Sequence, residues 1–479
     1  MPRVHFRPAR NWLNDPNGLL FHNGRYHLYF QYNPYGTAHG NMSWGHATSP
    51  DLADWTEHEI AILCDDDEEI FSGSIVFDTA NTSGFGATGK SPLVAIYTSA
   101  YRKTRRQAQS LAYSLDDGMT WTKYDRNPVL DRGSRDFRDP KVFRWEGLDE
   151  QYWVMVAVKA AERLVMIYRS SDLRSWHFLS SFGPAGAVGG VWECPDLFPL
   201  AVDGALDRVR WVLIVSLYPG GIAGGSGTQY FVGDFDGVRF TPDRTTGASP
   251  DAHPADTRWL DYGRDCYAGV TFSGLPDEER TIIAWMGNWD YAALIDPAPS
   301  RGAMTVPRRL SLVSVGDDVA LRQEPVLPPL DRVAAFSDVT LTEAWHVPAT
   351  LPPNAVVDLA VRLDRAEGIA VRLRHGEGQH GGAVVRVAGD VLLVDRTEAT
   401  AGAHPGLSSV EVVPLRSSDH VALRILIEPT SIEVFADGGC TVVTDLIDTA
   451  LDANGLTIEP LSGTAVVESV RISTPQAKI

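Results

Sequence analysis

Ser49-Pro50-Asp51-Leu52-Ala53-Asp54-Trp55 is echoed by Ser171-Asp172-Leu173-Arg174-Ser175-Trp176. Between them lies Ser114-Leu115-Asp116-Asp117-Gly118-Met119-Thr120-Trp121, and a looser copy follows at Gly233-Asp234-Phe235-Asp236-Gly237-Val238-Arg239-Phe240. Each is a polar turn that closes on an aromatic ring. Its Asp oxygens accept from nearby backbone N–H groups, and the ring drops into an apolar layer. Around these turns run short β-branched and aromatic stretches: Tyr26 to Tyr32, Leu93 to Thr98, Tyr152 to Val158, Trp211 to Ser216 and Thr281 to Met286. Gly, Pro, Asn and Asp separate them, and helical periodicity is scarce. The stretches recur roughly every 55 to 70 residues, longer than the ~40–50 of a four-stranded propeller blade. The excess implies inserted loops, where functional sites usually sit. Four echoes and a first aromatic strand predict an all-β fold that opens with a five-bladed β-propeller over residues 1–308.

After Arg308 the sequence changes character. Gln323-Glu324-Pro325-Val326-Leu327-Pro328-Pro329-Leu330 reads as extended connector, because prolines block both helix and central strand. The expectation is a linker over 309–335. Beyond it, Val421, Leu423, Ile425 and Ile427 alternate up to Pro429, Ile432 and Val434 resume the alternation, and Asp437-Gly438-Gly439 turns it. Val466 to Ile472 gives a last strand. This predicts a C-terminal antiparallel β-sandwich over 336–479, with no catalytic cluster in it.

A length of 479 residues fits two such domains. Forty-two Lys and Arg against 61 Asp and Glu leave a formal charge of −19. That argues against nucleic acid and against an anionic membrane surface as partners. Mean hydropathy is −0.12, and there is no apolar run of membrane-spanning length. The four cysteines, Cys64, Cys194, Cys266 and Cys440, stand far apart without a CxxC pair, so neither a zinc site nor a disulfide framework is expected. Met1-Pro2-Arg3 leads directly into polar sequence without a signal peptide. The expected location is therefore the cytoplasm, or outside the cell if a leader has been removed. Composition leaves the oligomeric state open.

Three acidic segments stand out. In Trp12-Leu13-Asn14-Asp15-Pro16-Asn17-Gly18, Asp15 precedes a turn and an aromatic strand. In Phe137-Arg138-Asp139-Pro140, the neighbouring Arg is expected to hold Asp139 ionised. In Val191-Trp192-Glu193-Cys194-Pro195-Asp196, Glu193 sits among apolar neighbours, and burial of that kind favours a carboxyl that keeps its proton. Taken singly, the first two suit a turn aspartate and a structural ion pair. Together, carboxylates in unlike settings are what glycoside hydrolysis needs: one attacks the anomeric carbon, the other protonates the leaving oxygen.

These motifs resemble family-32 glycoside hydrolases, the invertase, levanase and exo-inulinase group. Trp12 to Gly18 carries that family's signature. Gln31-Tyr32-Asn33-Pro34, Ser43-Trp44-Gly45-His46, Phe71-Ser72-Gly73-Ser74, Arg138-Asp139-Pro140, Glu193-Cys194-Pro195, Asp265-Cys266-Tyr267-Ala268 and Trp285-Met286-Gly287-Asn288-Trp289 follow in the family's order. The resemblance implies a five-bladed propeller followed by a β-sandwich. It implies Asp15 as nucleophile, Glu193 as acid/base and Asp139 as the group that holds two fructose hydroxyls. Asn14, Gln31, Ser72 and Arg138 would line the terminal fructose pocket, with Trp44 and Trp289 as aromatic walls. The implied activity is a retaining, exo-acting β-fructosidase on sucrose, fructooligosaccharides or fructans.

The sequence departs from the family at two rim positions. His39 stands where the family often has Trp beside the sugar, and Asp290 replaces Gln in Asn288-Trp289-Asp290-Tyr291. The run Asp65-Asp66-Asp67-Glu68-Glu69 reads as a solvated loop, with cation binding as the alternative. The motifs contain no His/Cys ligand cluster, so no metal and no cofactor are expected. Three other readings compete. A fructosyltransferase would use the same residues with a sugar as acceptor. A sialidase would account for the turn Ser114 to Trp121, but needs a Tyr nucleophile and an Arg cluster. A non-catalytic sugar-binding propeller would not need all three carboxylates.

Overall fold

The computed structural model describes residues 4–147, 150–243, 257–295, 299–376, 378, 381–399, 404–416 and 419–476. Its first part is a ring of five four-stranded antiparallel blades. Blade I comprises Asn11–His22, Arg25–Asn33, Ser43–Ser49 and Thr56–Glu57; blade II comprises Glu68–Phe77, Leu93–Tyr101, Gln107–Ser114 and Thr122–Lys123. Blade III runs through Phe137–Glu146, Gln151–Lys159, Leu164–Ser170 and His177–Phe182, and blade IV through Val191–Val202, Ala205–Tyr218, Gly227–Phe235 and Phe240–Pro242. Blade V is built from Tyr267–Thr271, Thr281–Met286, Arg308–Val315 and Asp318–Pro325. The first strand of each blade faces the axis and abuts the first strands of its neighbours. Ser300–Arg301 pairs in parallel with Asn11 and Trp12, so chain from the last blade closes the ring against the first.

The aspartate turns fall at one place in each of blades I to IV, between the third and fourth strands. Asp51 Oδ1 accepts from the Ala53 and Asp54 N–H groups at 3.0 and 2.9 Å, and Asp172 Oδ1 from Arg174 and Ser175 at 2.9 and 2.7 Å. The indole N–H groups of Trp55, Trp121 and Trp176 donate back to the carbonyls of Leu52, Gly118 and Leu173. Ser114 to Trp121 is thus one blade turn among four. The first aromatic strand belongs to the same blade as the first turn. The fifth blade is the one without an echo: a tight Gly316-Asp317 connection joins its last two strands.

The expected linker needs correction on that account. Most of residues 309–325 lie in the outer hairpin of blade V, where Leu310, Leu312 and Leu321 are buried in its core. Leu330–Leu341 is already a strand of the second domain, paired with Ala465–Pro475. Only residues 326–329 connect the two. Pro325 closes an edge strand, a place where its missing N–H costs nothing.

The second domain is a sandwich of two six-stranded sheets. Val421, Leu423, Ile425, Ile427, Ile432 and Val434 all point into its core, as their alternation predicts. No helix among the described residues is long and apolar enough to cross a membrane.

The two domains are joined by buried charge. His5, ahead of the first blade, places Nδ1 3.2 Å from Glu428 and Nε2 2.7 Å from Glu433, both in the sandwich. Burial alone would depress the imidazole pKa, but the two carboxylates outweigh it and raise it to about 9. Glu428 is buried too; His5 offsets that burial and holds it at about 2. His5 therefore stabilises the fold fully below its ordinary pKa of 6.5, and that contribution is lost as pH rises through about 9. Glu428 contributes above 4.5, and its share is lost as pH falls toward about 2. His5→Gln should lower Tm most between these ordinary values. The deficit should shrink in thermal melts as pH climbs toward 9. A deficit independent of pH would mean that packing, not the ion pairs, ties His5 to the sandwich.

Candidate active site

Every axial strand breaks its register at one level of the ring. The breaks fall between Leu13 and Pro16, Phe71 and Gly73, Glu193 and Asp196, and Tyr267 and Val270, and opposite Asp139-Pro140 between Val156 and Val158. A bulge re-aims side chains out of the pleat. Here it turns Asp15, Ser72, Asp139, Glu193 and Tyr267 toward the axis. Pro16, Pro140 and Pro195 lie in three of the bulges, where a residue without an N–H leaves no ladder donor unpaired. Asp139, Cys194 and Ala268 adopt positive φ of 61°, 47° and 55°, a conformation that L-residues seldom occupy and that clusters at functional sites. Gly73 is required: a Cβ there would lie 2.1 Å from the Ile96 carbonyl.

Three carboxylates meet at this level. Asp15 accepts the Ser72 hydroxyl on Oδ2 at 2.6 Å and the Asn14 amide on Oδ1 at 2.9 Å. Asn14 is itself oriented, because its Oδ1 takes the Trp12 indole N–H at 2.7 Å. Asp139 is buried. Its backbone N–H donates to Thr98 Oγ1 at 3.0 Å, and its Oδ2 accepts the Cys194 N–H at 2.9 Å. The Cys194 thiol lies 3.6 Å from Asp15 Oδ2 and 3.7 Å from Asp139 Oδ2, between the two acids. Glu193 is more open, with 22% of its side chain exposed against 6% for Asp139.

The electrostatics differ from the sequence expectation in two ways. Arg138 does not pair chiefly with its neighbour. Its Nε lies 3.9 Å from Asp139 but donates to Glu193 Oε1 at 3.0 Å, and Nη1 goes to Gln107 Oε1 at 3.1 Å. Burial, with the charges of Glu193 and Asp15, overcomes the pull of Arg138 and raises Asp139 to about 7. Glu193, expected among apolar groups, instead has Arg138 on one oxygen and the Tyr267 hydroxyl on the other. Burial and the Glu193 charge hold the Tyr267 phenol well above its ordinary pKa, so it serves as a donor. Asp15 is raised as well: burial and Glu193 push it up against the hydrogen bonds from Ser72 and Asn14.

The predicted pocket residues divide. Asn14, Ser72 and Arg138 contact the carboxylates directly. Trp289 is half-buried at the mouth, stacked on Trp12 with centroids 6.0 Å apart, and His39 meets it edge-on at 5.2 Å on the exposed rim. Desolvation of the imidazole lowers the His39 pKa, against the pull of Asp15, Glu69 and Glu193. Gln31 is buried and donates its amide to the Ile70 carbonyl at 2.9 Å, bracing the strand that carries Ser72. Trp44 needs correction: it is fully buried and its indole N–H donates to the Phe71 carbonyl at 3.1 Å. It packs in the core against Tyr29 and Tyr97 behind the site and offers no open face to a ligand.

Asp290 pairs with Arg264 at 2.8 Å. In the acidic run, Asp65 and Glu68 share Lys123, Asp67 meets Lys103 and Glu69 meets Arg102. No three His, Cys, Asp or Glu side chains among the described residues are placed to hold a metal ion. Cys194, Thr98, Gln107 and Tyr267 complete the site without having been singled out from sequence. Cys194 and Tyr267 stand inside the quoted motifs, but which side chain faces the axis depends on the bulges.

Residues 5–325 match the glycosyl hydrolases family 32 N-terminal domain, and residues 337–474 the family's C-terminal domain. The chain is 40% identical to the levanase of Bacillus subtilis over 98% of its own length and 70% of that protein. It is 41% identical to an extracellular exo-inulinase of Aspergillus niger, over 94% and 90% of the two chains. Its structure superposes on the crystal structure of exo-inulinase from Aspergillus awamori with a TM-score of 0.93 at 39% identity, covering 99% and 98% of the chains. With both domains matched and the fold shared along its length, the chain belongs to glycosyl hydrolase family 32 and is a glycoside hydrolase.

Proposed function

We propose that this enzyme is an exo-acting β-fructosidase that removes terminal fructose with retention, from sucrose and from fructans of the levan or inulin type. The observation that carries the reading is the meeting of Asp15, Asp139 and Glu193 at one bulged level, each with a different set of partners.

In the first step Glu193 gives its proton to the glycosidic oxygen while a carboxylate oxygen of Asp15 attacks C2 of the fructose. The C2–O bond to the aglycone breaks and an ester to Asp15 forms. In the second step the Glu193 carboxylate takes a proton from water, which attacks C2 and releases fructose and free Asp15. Ser72 and Asn14 hold Asp15 in place for attack. Asp139, deepest of the three, accepts hydroxyls of the bound sugar. Glu193, more open than Asp139, faces the departing aglycone, with Arg138 and Tyr267 fixing its two oxygens. Trp289 and His39 border the entrance. A polymeric fructan cannot enter a cell, so action on it requires the enzyme outside; a cytoplasmic enzyme would be confined to sucrose and short oligomers.

Asp15→Asn and Glu193→Gln should each fold normally and lose at least ~10²–10⁴-fold in turnover of sucrose. From levan, free fructose should be the first product and the polymer should shorten slowly. Early oligosaccharides with a rapid fall in viscosity would refute exo attack.

Two pH effects follow from the site. Asp15 must be ionised to attack, and the Ser72 hydrogen bond is the largest influence holding its pKa down. Ser72→Ala should therefore move the acid limb of the kcat/KM profile to higher pH, besides lowering its plateau. An unmoved limb would remove Asp15 as the group titrating there. Asp139 is raised from 3.8 to about 7, so the stability available with its carboxyl neutral is lost as pH rises through about 7. Asp139→Asn should melt higher than wild type at pH 8, and the gain should fade toward pH 4, while activity falls steeply. An equal Tm difference at both pH values would contradict the strained carboxylate.

A further inference from the structure

The sandwich edge strand Thr441–Leu446 lies alongside the propeller segment 261–265. Tyr262 N donates to Val442 O at 2.8 Å, Asp265 N to Thr444 O at 3.0 Å, and Leu446 N to Asp265 Oδ2 at 2.8 Å. Asp265 is completely buried. Its two oxygens accept the Tyr291 hydroxyl at 2.6 and 2.7 Å, and Oδ2 also accepts Nη1 of Arg396 at 3.1 Å. Arg396, just after the sandwich strand Val391–Asp395, is equally buried. It donates Nη1 to the Leu446 carbonyl at 2.6 Å, Nε to Ser409 Oγ at 2.8 Å and Nη2 to the Tyr291 oxygen at 3.3 Å.

The position of these groups in the chain gives them consequence. Asp265 lies two residues before Tyr267, whose hydroxyl donates to Glu193. Tyr291 lies two residues after Trp289 at the mouth of the site. Tyr267 pairs with Trp285 at the very start of a bulge, after which the ladder to Thr281–Met286 is interrupted until Val270, so regular pairing holds it at one point and not along the strand. On its far side the Ala268 N–H is held by Ser216 Oγ at 3.0 Å. On its near side the anchor is Asp265, and through it Arg396. A buried ion pair of this kind adds little net stability compared with an apolar replacement, and its better-attested use is to specify a geometry.

We propose that Arg396 is a positioning residue for proton donation. From the sandwich it fixes Asp265, Asp265 sets Tyr267, and Tyr267 aligns the Glu193 carboxyl with the leaving oxygen. The second domain is on this account part of the acid/base apparatus. The inference rests on Glu193 being the general acid.

The test compares two leaving groups. Sucrose needs a proton on its departing oxygen, whereas a nitrophenyl β-fructofuranoside expels a stable phenolate and needs little help. Tyr291→Phe keeps the ring between Arg264 and Arg396 and removes only the hydroxyl; Arg396→Lys keeps the charge and loses the fork. Both should lose about tenfold or more in kcat/KM on sucrose and about twofold or less on the aryl fructoside. Arg308→Lys serves as the structural control. Arg308 bonds Asp261 at 2.8 Å and Glu433 at 2.6 Å across the same interface without touching Asp265. Its activity should change by the same factor on both substrates, whatever its Tm. Glu193→Gln, measured in parallel, should show the strongest loss confined to sucrose. If it does, and Tyr291→Phe and Arg396→Lys lose equally on both substrates, the role of Arg396 is overturned while Glu193 stands. If Glu193→Gln is itself unselective, the assignment of the acid falls and this inference with it.

Discussion

The site depends on one geometric constraint: five axial strands must each depart from regular pairing at the same height. A regular antiparallel strand sends alternate side chains to opposite faces, so successive inner strands would not converge three acids on one point. The bulges supply the convergence. They are held from behind by hydrogen bonds to the backbone. Trp44 and Gln31 brace Phe71 and Ile70 beneath Ser72, Thr98 holds the backbone of Asp139, and Ser216 holds that of Ala268.

Bringing Asp15, Asp139 and Glu193 together concentrates negative charge in a partly dry bowl. Among the described residues only one cation, Arg138, is in direct contact with them, and it sits closer to Glu193 than to Asp139. Burial, together with the remaining repulsion, raises the pKa values of Asp15 and Asp139. A site that must bind a polar ring through ionised acceptors gives up stability for that charge, a common bargain at functional sites. The overall charge of −19 does not create this field; the local arrangement does.

The interface between the domains brings more cations to its buried acids. There, Glu428 and Glu433 share His5, Glu433 and Asp261 share Arg308, and Asp265 meets Arg396. Such pairs fix orientation because a misplaced buried charge is left without a partner. The propeller and sandwich thus meet in one register, and the segment feeding Tyr267 into the site is clamped by the second domain.

Much of this was legible in the sequence. The aspartate–aromatic turns repeat because a local turn must satisfy its own N–H groups, and alternation at Val421 to Val434 marks a core-facing strand wherever it occurs. The acids Asp15, Asp139 and Glu193 were legible through the motifs that carry the family resemblance, and in the structure each stands beside or just ahead of a proline that a central strand tolerates only at a bulge. The fifth blade left no such mark. Its outer hairpin turns on Gly316-Asp317 without an aromatic, so the prolines beyond it suggested a linker that starts too early. The resemblance implied Trp44 as an aromatic wall of the pocket, yet the strand presents it to the core. Which acid Arg138 serves, what Tyr267 touches and how Asp265 joins Arg396 are contacts between residues 31 to 131 positions apart. Local sequence determined the turns, the strands and the places where strands must break. Only tertiary structure decided which side chains those breaks bring face to face, because that depends on how five separate blades and a second domain are set against one another.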